Sequence, residues 1–304
     1  MSKLNQFNED IEKSQKLPFC WVVNPPNMQK AQIEKLAPPY GIFIPTEQAN
    51  AATLNAPEWL EPTSISFGDE GNEKSGFLMK RLRCVVIARS PLYVQAIAPQ
   101  GGWAFAGIAY EKGAVTELGT KAMSDDQSYR LRSQHLIMLI DDDNQLIQDT
   151  PLKLTLGKGP GAAISQEIKE FRKEIESSFF KSQGIPEQRL SDRAHALCIL
   201  DMTLGFHKSE GHAPYVTPVH RFAPAVEQVG KSKEVSRMSR TLTLEGRNIE
   251  EMLISKTEPV GAKIIEIYDE YKTYFDRMKQ SKAPETTTDE GKDGEVLYDE
   301  DMPF

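Results

Sequence analysis

The sequence predicts a β-rich α+β fold: a curved sheet or barrel with inserted and C-terminal helices, followed by a disordered acidic C-terminal tail. Three observations carry that expectation. Seven short segments, rich in β-branched and aromatic residues and bounded by Gly, Pro, Asp or Asn, read as strands. Two longer segments repeat apolar residues at spacings of three and four, the period of a helix with one buried face. Residues 281–296 hold Pro, Gly, Thr and charge with almost nothing apolar, so burial cannot offset the entropy of ordering them.

Taken in order, the N-terminal segment is punctuated by PPN at Pro25 to Asn27, PPY at Pro38 to Tyr40 and NAPEW at Asn55 to Trp59. These signals read as loops and short helices covering the sheet. The strand segments follow: FLMKRLRCVVIA (Phe77 to Ala88), LYVQAIA (Leu92 to Ala98), WAFAGIAY, YRLRSQHLIMLI, LKLTL, HALCILDMTLGF and APYVTPVHRF. Between the fifth and sixth, Ile164, Ile168, Phe171, Ile175 and Phe179 keep helical spacing until Gly184 and Pro186 end it. A helix inserted among strands fits a closed five-stranded barrel with additions. A second amphipathic helix starts near Pro259, with Val260, Ile264, Ile267, Tyr271, Phe275 and Met278 on one face. With 304 residues, 39% hydrophobic, and no internal repeat or central linker, residues 1–280 read as one elaborated domain. Residues 281–296 then form a tether and 297–304 a tip.

Composition narrows the function classes. The first residues lack the basic-then-apolar pattern of a signal peptide, and the runs CVVIA and LIMLI are too short to cross a bilayer, so the expectation is a cytoplasmic protein without a membrane partner. Cys20, Cys84 and Cys198 are far apart and odd in number, which suits buried thiols better than a disulfide framework or zinc site. The net charge of −8 is unevenly placed. Residues 285–304 hold eight acids against Lys292, a net −7, leaving the body near −1. A body so balanced can carry a basic face.

Binding a single strand of nucleic acid needs cations for phosphates and exposed rings on which bases stack. The densest candidates are Lys80, Arg81, Arg83 and Arg89, with Phe77 and Tyr93 at either end. Tyr129, Arg130 and Arg132 add a second group, and Trp103 follows a Gly-Gly turn that can expose its ring. Lys231, Lys233, Arg237 and Arg240 sit in a Ser- and Gly-containing stretch suited to a mobile basic loop. The competing reading makes the strand aromatics core and the strand cations a solvated face.

The chain closes with Asp299-Glu300-Asp301-Met302-Pro303-Phe304. This peptide resembles the C-terminal tip of bacterial single-stranded DNA-binding proteins, a run of acids followed by an aliphatic residue, Pro and a final Phe. Glu300 stands where Asp is usual and Met302 where Ile is usual. The resemblance covers these six residues and the character of the tether. It implies that Phe304 enters an apolar pocket on a partner enzyme while its carboxylate meets a basic side chain. Pro303 would limit the entropy lost on docking, and Asp299, Glu300 and Asp301 would supply a salt-sensitive attraction. The same acids could fold back onto the protein's own DNA groove. The implied protein is non-enzymatic, OB-like and nucleoid-associated, and needs no metal or cofactor. It coats single-stranded DNA and recruits enzymes of DNA replication, recombination and repair, a role compatible with a homo-oligomer.

Enzymatic features compete with this reading. LGKGPGAA (Leu156 to Ala163) places glycines before a helix but lacks the Lys-Ser/Thr of a P-loop, and reads better as a tight strand-to-helix connection. Asp141, Asp142 and Asp143 could hold a metal as in a nuclease, the alternative function. A hairpin turn between LIMLI and LIQ explains them with fewer assumptions. His207, His212 and His220 lack a metal-ligand spacing.

Overall fold

A computed structural model of the chain describes residues 16–67, 72–99, 101–221 and 249–280. The described elements run β1 (Phe19–Val23), α1 (Lys30–Leu36), β2 (Gly41–Pro45), α2 (Thr46–Ala51), β3 (Glu61–Phe67), β4 (Asn72–Met79), β5 (Arg81–Arg89), β6 (Tyr93–Ile97) and β7 (Trp103–Ile108). They continue with β8 (Tyr110–Glu111), β9 (Ala114–Val115), α3 (Glu117–Ser124), β10 (Tyr129–Leu139), β11 (Leu152–Gly157), α4 (Lys158–Gln183), α5 (Asp192–His195), β12 (Leu200–His207), β13 (Tyr215–Arg221), a 3-10 turn at Ile249–Met252, α6 (Pro259–Tyr271) and α7 (Asp276–Gln280). The tether 281–296, the tip 297–304 and Lys231, Lys233, Arg237 and Arg240 lie outside the described residues.

Eleven of the described strands form one mixed sheet in the order β13-β12-β5-β10-β11-β1-β2-β4-β3, with β6 beside β10 and β7 beside β6. The outermost strands of that order, β13 and β3, do not pair, so the sheet is not closed into a barrel. The physical reason lies in the N-terminal segment. It is not merely a cover of loops and helices, because β1 inserts parallel to β11 and carries the sheet outward through β2 to β4 and β3. The prolines punctuate these strands rather than exclude them. Pro45 ends β2, and Pro62 lies in β3, the last strand of the order, where a missing N–H costs no central ladder bond.

The expected strand from Phe77 to Ala88 is two strands, broken at Lys80. β4 pairs with β2 and β3, whereas β5 pairs with β10 and β12, so this stretch crosses between two parts of the sheet. The residues His195 to Ile199 before β12 are likewise not strand, since α5 ends at His195. The first long helix follows its apolar spacing, whereas the expected second one breaks after Tyr271: residues 272–275 are a turn, so Phe275 falls outside a helix and Met278 lies in the separate α7. α4 begins directly after β11 and ends at Gly184, whose φ of 64° is a left-handed cap that glycine adopts without a Cβ clash. In α6, Pro259 fills the first turn and Val260, Ile264, Ile267 and Tyr271 are buried.

The core lies between the sheet and a layer formed by α4, α5 and α6. β10 is its axis: from Ser133 to Leu139 every residue is buried, with Leu136, Ile137, Met138 and Leu139 fully so. Burying each such side chain contributes roughly 1.5–3 kcal/mol relative to exposure. Cys20, Cys84 and Cys198 are buried free thiols, and burial pushes the pKa of Cys198 up to about 12. No described helix is long and apolar enough to cross a membrane.

His135 occupies the same strand at 4% exposure, with Nδ1 buried and unpartnered. Burial, then the Arg89 charge, lowers its pKa from 6.5 to about 4. The unfolded chain therefore binds a proton that the folded chain refuses between those values. Stability contributed by neutral His135 is present above pH 6.5 and drains away as pH falls toward 4. Thermal melts across that window should show falling stability in the native chain and a shallower fall in His135→Gln. Parallel pH profiles would contradict the assignment.

Candidate nucleic-acid interface

The β6, β7 and β10 end of the sheet gathers one group of the expected residues. Ladder register places Gln95 opposite Arg130, Tyr93 opposite Arg132, and Ile97 and Gln95 opposite Trp103 and Phe105. Directly opposed residues share a face, so these seven residues lie on one side of the sheet. The Arg130 guanidinium carbon stands 3.8 Å from the centroid of the Trp103 ring, and both side chains are half-buried. This is a cation–π stack. Desolvation, then the neighbouring Arg132 charge, lowers the pKa of Arg130, which has no carboxylate partner among the described residues.

The surrounding residues shape the platform. Arg132 donates from Nε to Gln95 Oε1 at 3.3 Å. Gly157 sits opposite it in the β10–β11 ladder, and the absent side chain leaves the space that the Arg132 guanidinium occupies. Tyr93 is only 2% exposed and packs 5.7 Å from the Phe105 ring, so it forms the floor rather than a stacking surface. Ile97 is 55% exposed at the rim, beside the turn where Gly101 and Gly102 have φ of 90° and 77°. Gln95 and Phe105 were not singled out in the sequence. The alternation of YVQAI against WAFAGI is the signal that could have found them.

The other expected residues are elsewhere. Tyr129 falls on the opposite face and packs with Val94, Ala109 and Ala122. Lys80 reaches the Tyr40 ring at 5.6 Å and Glu61 at 4.0 Å. Phe77 packs against the core. Arg89 turns toward a cavity under α4. Arg81 and Arg83 are held by the fold itself. Arg81 donates from Nε and Nη2 to the two carboxylate oxygens of Asp201, at 2.9 and 2.7 Å, and from Nη1 to Asp142 at 2.9 Å. Arg83 donates to Asp201 at 2.7 Å, to the Asp141 carbonyl at 2.9 Å and to the Asn144 side chain. The Asp201 hydrogen bond leads the causes that raise the pKa of Arg81. Burial alone would raise the pKa of Asp201, but hydrogen bonds and charges from both arginines hold it below the usual carboxylate value.

The competing chemical motifs take structural places. Asp141 Oδ1 accepts from the backbone N–H groups of Asp143 and Gln145, Asn144 has a φ of 60°, and Ile140 bridges Leu146, which together make a hairpin turn. No group of three or more His, Cys, Asp or Glu able to hold a metal occurs among the described residues. In the glycine-rich segment, a Cβ at Gly159 would lie 2.7 Å from the Tyr215 ring, so this glycine lets α4 approach β13.

Asp201 and Arg83 are 15% and 11% exposed, so removing one partner strands a charge in low dielectric. Asp201→Ala should cost about 3 kcal/mol in urea unfolding, and Asp201→Asn less. A loss below about 0.5 kcal/mol, the scale of an exposed pair, would show the network to be solvated.

The family model described as a domain of unknown function, DUF5895, matches residues 14–228. No curated protein and no solved structure matches the chain.

Proposed function

The chain belongs to the DUF5895 family, and we propose that it is a non-enzymatic, nucleoid-associated protein that coats single-stranded DNA and recruits replication, recombination and repair enzymes through residues 299–304. The observation that carries this reading is the half-exposed Arg130–Trp103 stack, flanked by Arg132 and Gln95. A ring with a guanidinium across it offers a base a π surface on one element and a phosphate a cation on the next. Arg130 lacks a described carboxylate partner, so a phosphate would relieve its repulsion with Arg132. In this proposal the strand uses one face of the open sheet, an OB-like mode of binding without a closed barrel.

The acidic tip supports the second half of the reading. Asp299, Glu300 and Asp301 would compete with DNA for the same cations at low salt, and Met302, Pro303 and Phe304 would occupy an apolar pocket on a partner. The nuclease alternative around Asp141, Asp142 and Asp143 lacks comparable support, because Asp141 caps its own turn and Asp142 pairs with Arg81.

Fluorescence anisotropy with labelled single-stranded and duplex oligonucleotides across a salt series tests the proposal. The full chain should prefer the single strand, with affinity falling as salt rises. Trp103→Ala should lose roughly 1–3 kcal/mol, the worth of one stacked base. The chain ending at Val296 should bind more tightly at low salt while losing capture of its enzyme partners. Equal affinity for both oligonucleotides, or no effect of Trp103→Ala, would overturn the assignment of the face. Unchanged affinity and capture after truncation would overturn that of the tip.

A further inference from the structure

A cavity of about 410 Å³ lies between the C-terminal half of β5 and the helices α4, α5 and α6. It is on the other side of the sheet from the Arg130–Trp103 stack. Arg89 is opposite His135 in the ladder, and on that same face of β10 Ser133 meets Ser165 of α4 at 3.3 Å. Residues alternate along a strand, so Arg130 and Arg132 face away from this side.

The lining is divided between apolar walls and convergent charge. Ile87, Ala88, Pro91, Ile168, Phe171 and Tyr268 form the walls, and Arg89, Arg172, Asp192, His195 and Lys272 bring the polar groups. Most of those groups have partners. Arg172 pairs with Asp192, Lys272 with Asp269 at 3.0 Å, and His195 Nε2 with Glu176 Oε1 at 2.9 Å. Arg89 is the exception, with no carboxylate partner among the described residues. Arg89 is an exposed residue where it lines the cavity, yet partial burial first, then the Arg172 charge, lowers its pKa; the Asp192 and Glu176 carboxylates oppose the shift and Arg189 adds to it. The site therefore holds a guanidinium that makes no ion pair of its own among the described residues, with both like charges and the Asp192 and Glu176 carboxylates near it.

We propose that this cavity binds a small organic oxyanion, a carboxylate or phosphate head on a compact apolar body, with Arg89 as the principal anchor and Arg172 beside it. Its volume falls in the range of roughly 300–1,000 Å³ common to small-molecule sites. Planar guanidinium forks match both head groups, and the walls give the body an apolar surface to bury. The free energy comes from an ion pair that Arg89 does not make within the described protein, against the nearby Asp192 and Glu176 carboxylates.

Titration calorimetry on the full chain with benzoate, phenyl phosphate and the neutral benzyl alcohol tests the inference. At least one anion should bind, roughly tenfold or more tightly than benzyl alcohol, and the preference between the two anions identifies the head group. Arg89→Gln should weaken that binding about tenfold, and Arg89→Lys, which keeps the charge but not the fork, less. Circular dichroism checks that each variant is folded. Should Arg89→Gln fail to fold, Lys272→Gln at the cavity's edge replaces it, with a loss of about threefold expected. Binding of neither anion, equal binding of benzyl alcohol, or full affinity in the folded variant would overturn the proposal.

Discussion

The double duty of strand β10 is the constraint on which the rest of the structure depends. Over Ser133 to Leu139 it is buried and hydrogen-bonded to β11 on one side and β5 on the other. Over Tyr129 to Arg132 it is half-exposed and paired with β6 instead of β5. The three residues Ser90 to Leu92 between β5 and β6 let both strands run along the same edge of β10. One continuous backbone thus carries the core at one end and the candidate interface at the other. Arg130 and Arg132 inherit their positions from a strand whose other half cannot move without opening the core.

Whether a cation is satisfied decides what it is available to do. Arg81 and Arg83 stand in a dense basic stretch of the sequence, yet Asp201, Asp142 and the 141–144 turn take up their donors and tie β5 to β12. Their charge is spent inside the fold. Arg130 and Arg89 have no carboxylate partner among the described residues, and each has its pKa lowered by desolvation and a neighbouring arginine. One lies on a half-buried sheet face beside a Trp ring, the other at a cavity with apolar walls and several charged groups. The first arrangement suits an extended polyanion with bases, the second a small anion with an apolar body.

Much of the fold was legible because its signals are local. The 3.6-residue spacing from Ile164 to Ile175, the cap at Gly184 and the proline at the start of α6 each act within a few residues. The β1, β2 and β3 strands were hidden because neighbouring prolines dominated the reading, although FCWVV and GIFIP are plain strand sequences. The break at Lys80 was invisible because only pairing with different partners makes it necessary. At the site, Trp103 and the Arg130–Arg132 pair stood out by residue type and a Gly-Gly turn. Asp201 escaped notice because it meets Arg81 and Arg83 across 120 and 118 residues of sequence. The cavity residues come from β5, α4, α5 and α6, and no spacing rule connects them.

The central claim is that bases stack where Arg130 crosses Trp103. Ultraviolet crosslinking of the full chain to a single-stranded oligonucleotide, followed by peptide mass spectrometry, addresses it at residue level. The account predicts nucleotide adducts on the peptide carrying Trp103 and Phe105. Adducts confined to peptides remote from β6, β7 and β10, with that peptide recovered unmodified, would contradict it.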